Sequence, residues 1–87
     1  MPSVTLARDA AVQLGLLPKP IKARMVDLLV RLSNWPHVSG ARPLTGTLAG
    51  HYRLRTGDYR LQFRIESGGV LVEQVGHRDG FYGEGNE

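Results

Sequence analysis

The 87-residue chain contains no cysteine, which removes disulfide frameworks and thiolate metal sites, and with them any sign of an oxidising compartment. No apolar run approaches the roughly 20 residues that a membrane helix requires, and the N-terminus lacks the basic-then-apolar layout of a secretion signal. A cytoplasmic protein without a membrane partner is predicted. The three histidines are separated and have no carboxylate motif beside them, so neither a metal site nor a small-molecule cofactor is expected. Internal repeats and low-complexity segments are also absent. The length leaves room for one small domain, read as residues 1–82. The tail 83–87, Gly-Glu-Gly-Asn-Glu, has no apolar payload and is expected to be flexible.

Acidic residues are the scarcer charge. Eleven Lys and Arg against eight Asp and Glu give a formal net charge of +3 and a pI near 9.8, which favours an anionic partner without naming one. Residues 1–50 hold six basic and two acidic side chains, whereas residues 51–87 hold five and six. Bulk charge therefore explains nothing in the second half, and placement must.

Val4 and Leu6, two apart, predict a short first strand. Ala7, Ala10, Ala11 and Leu14 then recur at helical spacing, with Gly15 as the stop. From Lys19 to Trp35 a second helix is predicted on the stripe Ile21, Met25, Leu28, Leu29 and Leu32, with Pro20 tolerated in its first turn. Lys19, Lys22, Arg24, Arg31 and Arg42 are expected to be solvated surface charges. Residues 36–50, with two prolines and three glycines, form a long irregular connection, a kind of segment that often carries function. From His51 the period becomes two, predicting strands at 51–55, 58–66 and 70–77. The fold class is α+β, with the short strand and helical hairpin packed on one face of an antiparallel meander.

The strand His51-Tyr-Arg-Leu-Arg55 and the strand that follows put their apolar members on the helix side and their arginines on the other. With Thr56-Gly57 as the loop, Arg55 faces Asp58 but Arg53 faces Arg60. Like charges directly opposite cost roughly 0.2 to 1 kcal/mol in a sheet, so a compensating anion is implied. Phosphate fits, because the guanidinium fork matches its oxygens in two-pronged fashion. With Gly68-Gly69 as the next loop, Arg64 faces Glu73 and Arg60 faces His77. Arg64 is thus read as a structural ion pair. Arg78 falls on the helix side by this count, unless a bulge, for which Gly76 is the expected place, reverses the parity.

The stretches Gly50-His-Tyr-Arg-Leu-Arg55, Gly57-Asp-Tyr-Arg60 and Val75-Gly-His-Arg78, followed by Tyr82, resemble the RelE/ParE superfamily of bacterial toxins, the RelE-like branch most closely. The likeness covers nearly the whole chain, including a Leu44-to-Leu48 loop. It implies a RelE-like, microbial-ribonuclease-like fold and a metal-independent endoribonuclease that cleaves mRNA, on the ribosome, by 2′-hydroxyl attack. It further implies a cognate antitoxin as partner. Carried over by position, the catalytic group is Arg60, Arg78 and Tyr82, to which the predicted strand face adds His77. Arg53 and Arg55, with His51 on the same face, fall on substrate-binding positions. Arginines would clamp the charge of the transition state. Surrounding cations would favour the phenolate of Tyr82, and an imidazole is suited to proton transfer near neutral pH. Two other readings stay open: a ParE-like gyrase poison, and a non-catalytic module of the same fold that binds RNA or antitoxin.

Overall fold

In the computed structural model, which describes residues 2–81, helices and strands follow the order read from the sequence. Strand β1 (Val4–Leu6) leads into α1 (Arg8–Gly15), whose first turn carries Asp9, a charge suited to the positive end of the helix dipole. Helix α2 (Lys19–Leu32) has its proline in the first turn, where no hydrogen bond is lost. Its stripe buries Met25, Leu28 and Leu32. The helix ends three residues before the expected Trp35. Asn34 and Trp35 donate their N–H groups to Arg31 O and Leu32 O at 3.0 Å, the tighter spacing of a turn. Trp35, next to a cis Pro36, then meets Tyr52 and Phe63 edge-on at 4.8 and 5.3 Å.

The connection 36–50 is less irregular than expected, since it holds a two-residue strand, β2 (Arg42–Pro43), and one 3₁₀ turn (Gly46–Leu48). Strands β3 (His51–Thr56), β4 (Tyr59–Glu66) and β5 (Gly69–His77) complete a sheet of order β1-β5-β4-β3-β2. β1 runs parallel to β5 and every other neighbour is antiparallel, so the sheet is mixed. The predicted α+β class holds. Both helices pack on the face presenting Leu54, Leu61, Phe63, Val70, Val72 and Val75, and Phe63, Leu61, Met25 and Leu32 are fully buried there. Truncating one of these to alanine costs about 2 to 5 kcal/mol. Gln13 of α1 accepts the Val75 N–H at 2.8 Å, covering the part of the β5 edge that β1 does not reach. Among the described residues no helix is long and apolar enough to cross a membrane.

Both turns of the meander sit one residue away from the sequence reading. The β3–β4 turn is Gly57-Asp58, with Gly57 at φ +60° in the first central position, which a type II′ turn reserves for glycine. Thr56 therefore joins the strand opposite Tyr59, and Arg55 faces Arg60 instead of Asp58. Arg53 faces Gln62 rather than Arg60. Both partners move together, so each side chain keeps its face. The β4–β5 turn is Ser67-Gly68, both residues at positive φ as a type I′ turn demands, not Gly68-Gly69.

A bulge does occur in β5, at Glu73 rather than at Gly76. Phe63 faces Val72 but Gln62 faces Gln74, leaving Glu73 as the extra residue. The insertion turns Val75 into the core and brings Gly76, not His77, opposite Arg60.

Candidate functional site

The sheet face turned away from the helices divides into two ends. At one, His51 Nδ1 lies 2.6 Å from Glu73 Oε1, Gln62 Nε2 donates to the same oxygen at 3.2 Å, and Arg64 reaches Glu66 at 2.7 Å and Glu73 at 3.8 Å. The bulge makes this possible, because it presents Glu73 and Gln74 in succession against the single residue Gln62. Arg64 is thus the structural ion pair that was expected, although the residue across from it is Leu71.

The other end is cationic. Arg42 of β2 pairs across the ladder with Arg53 of β3, and Arg55 of β3 pairs with Arg60 of β4. Directly opposite residues share a face, so two like-charge pairs stand side by side where a sheet ordinarily matches opposite signs. All four arginines line one cleft of about 430 Å³, together with Arg31, Ser39, Gly40 and Leu54. Arg53 is only 5% exposed, so its charge is held within the protein surface rather than waving in solvent. Arg55 and Arg42 are exposed, and neither has a carboxylate partner among the described residues. Gly76, across from Arg60, contributes no side chain to the cleft.

The sequence-predicted residues are distributed as follows. Arg53, Arg55 and Arg60 are brought together in the cleft. His51 belongs to the balanced end through Glu73 and does not line the cleft. His77, expected beside Arg60, is displaced by the bulge: it faces Tyr59, ring edge against ring at 5.1 Å, and its Nδ1 accepts from the Asp79 N–H at 3.2 Å. Arg78 opens a 3₁₀ turn (Arg78–Phe81) directly after β5, and its N–H donates to Asp58 O at 2.8 Å. Arg78 is 58% exposed and does not line the cleft. Tyr82 lies outside the described residues.

Arg42 and Arg31 were read from sequence as solvated charges. A signal for Arg42 existed, because the residue before a proline is driven into extended conformation and proline within a sheet is confined to edges. Arg42-Pro43 is accordingly an edge strand. Arg31 gave no such signal; its guanidinium donates to Ser39 O at 2.7 Å, a contact across the loop.

Four guanidinium groups in a concave site can bind phosphates that stand in sequence along a chain, and can stabilise negative charge that builds on one of them. Among the described residues no group of three or more His, Asp or Glu side chains is placed to hold a metal ion.

No protein-family model matches the chain. Toxin RelE of Mycobacterium tuberculosis (strain ATCC 25618 / H37Rv) is 37% identical over 73 residues, covering 83% of this chain and 74% of the relative. The crystal structure of the toxin-antitoxin complex RelBE2 from Mycobacterium tuberculosis contains a chain that superposes with a TM-score of 0.77 at 34% identity, covering 88% of this chain and 91% of that one. The isolated E. coli RelE toxin has a TM-score of 0.75 with coverage of 88% and 84%, and at 16% identity it attests the fold alone.

Proposed function

Because this chain belongs to the RelE toxin family, we propose that it is the toxin of a bacterial type II toxin–antitoxin system and acts as an endoribonuclease that cleaves mRNA on the ribosome. The observation that carries this reading is the pair of adjacent like-charge arginine pairs in one cleft. Guanidinium groups gathered in one cleft offer the forked donors that the phosphates of a polyanion accept.

Cleavage needs no group beyond the RNA and the protein. The 2′-oxygen of a ribose attacks the adjacent phosphorus, its proton passing to an acceptor. The P–O5′ bond breaks, the departing 5′-oxygen takes a proton, and a 2′,3′-cyclic phosphate remains. Negative charge accumulates on the phosphoryl oxygens midway, and donors preset at that position lower the barrier. Arg60, with Arg55 directly across from it, is assigned that charge, and Arg78 is proposed as a further donor on the strength of its place in the sequence motif. Arg53 holds the neighbouring phosphate. Tyr82 is proposed as a proton-transfer group on the strength of its place in the sequence motif. The relatives in complexes with an antitoxin support a cognate antitoxin as the silencing partner.

The test is expression of the chain with mapping of RNA ends. Growth arrest with new mRNA ends at ribosome-occupied codons, lost in Arg60→Ala, is the expected outcome. Intact mRNA with damaged DNA would transfer the chain to the gyrase-poison reading. RNA shifted on a gel without new ends would leave a binding module.

A further inference from the structure

The cleft extends past the residues that the family motif designates, and the extension is built. Arg42 stands across from Arg53, two residues along β3 from the Arg55–Arg60 pair. Two residues of strand span roughly 6.5 to 7 Å, comparable with the step between successive phosphates of an extended single strand. Arg53 is 5% exposed and Arg42 is open, so the pair presents one guanidinium fixed in the surface and one that can close over a ligand. The wall beside Arg42 is held by the Arg31 contact to Ser39 O at 2.7 Å, which ties the loop before β2 to the end of α2. On the β4 side of Arg53 stands Gln62, already committed to Glu73. The exposed guanidinium of the pair, Arg42, lies at the β2 edge, and the ligand is placed there.

We propose that Arg42 and Arg53 form a second phosphate subsite at the β2 edge, which holds the RNA backbone phosphate next to the one clamped by Arg55 and Arg60. Arg42 is then a positioning residue: it touches a phosphate that does not react and fixes the register of the strand over Arg60. The subsite rests on the nuclease reading for its ligand, single-stranded RNA, but not on the chemistry of cleavage.

The experiment measures binding of a short, fully 2′-O-methylated RNA, which cannot be cut, to the wild-type protein, Arg42→Gln and Arg42→Lys over a series of salt concentrations. Arg8→Gln, an exposed charge on α1 remote from the cleft, is the control for net charge. Arg42→Gln is expected to bind about tenfold more weakly, with a log-affinity against log-salt slope shallower by about 0.7. Arg42→Lys should restore the slope while recovering only part of the affinity, because a lysine supplies the charge without the fork. Arg8→Gln should match the wild type. Wild-type binding with Arg42→Gln indistinguishable from Arg8→Gln would overturn the subsite and leave the nuclease reading standing. A wild-type protein that binds no RNA at any salt would overturn both.

Discussion

The two ends of the arginine-bearing face use one residue type for opposite purposes. Arg64 sits among Glu66 and Glu73 with His51 and Gln62 joined to the same carboxylate, and the group closes on itself. Two rows away, Arg42, Arg53, Arg55 and Arg60 are set against one another around a cleft. Strand alternation alone would have made the ends alike. What separates them is the single inserted residue Glu73, which concentrates acidic character at one end and leaves Gly76, without a side chain, at the other. Arginine on a sheet face therefore says little by itself; for Arg64 the nearby carboxylates Glu66 and Glu73, and not the residue across the ladder, make it scaffold.

The largest effect that would sharpen this contrast is on cleavage. Arg60→Ala removes the donor proposed for the reacting phosphate and is expected to lower single-turnover cleavage by about 10² to 10³-fold. Arg64→Ala, only a few residues along the same strand, should change cleavage less than a few-fold. It should also cost under about 1 kcal/mol of stability, since its ion pairs are 40% exposed or more on the arginine side. Equal losses of cleavage in the two variants would erase the distinction between the ends.

A smaller effect, on stability, probes the balanced end. Glu73→Ala strips the carboxylate that both His51 and Gln62 use, at a site where His51 and Glu73 are only 19% and 20% exposed. A loss of about 1 to 3 kcal/mol is expected, read as a lower urea midpoint with an unchanged slope. Refolded Glu73→Ala should still bind RNA in the cleft. If its stability were unaffected, the network would be an incidental surface contact.

Periodicity made most of the fold legible. The α2 stripe, the parities of β3 and β4 and the α+β layering all follow from spacing, and each core residue of β3 and β4 lies on the face that alternation predicts. The registers were harder to read, because Thr56-Gly57 and Gly57-Asp58 are both acceptable turns and only the backbone at Gly57 distinguishes them. The bulge did leave a trace. In Val70-Leu-Val-Glu-Gln-Val75 the valines at 70, 72 and 75 break the two-residue period where Glu73 and Gln74 adjoin, a stronger sign than Gly76. Missing that trace misplaced His77. That Arg53, Arg55 and Arg60 share one face was legible in the sequence, whereas the place of Arg42 beside them was not, because a two-residue strand has no periodicity to detect and joins the others only through pairing across the sheet.

The smallest expected effect has the opposite sign to the others and breaks the comparison from the cationic end. Arg55 faces Arg60 across the ladder and, among the described residues, has no carboxylate partner of its own. Arg55→Gln keeps the length and polarity of the side chain while removing one of the two opposed charges. The variant should be more stable than the wild type by roughly 0.2 to 1 kcal/mol, detectable as a higher urea midpoint at low salt. The gain should shrink as added salt screens the pair. Cleavage by the same variant should fall, because Arg55 is proposed to share the reacting phosphate with Arg60. A variant at Arg55 that lost both stability and cleavage would mean that this arginine supports the fold, and the division of the face into scaffold and binding surface would fail at its central pair.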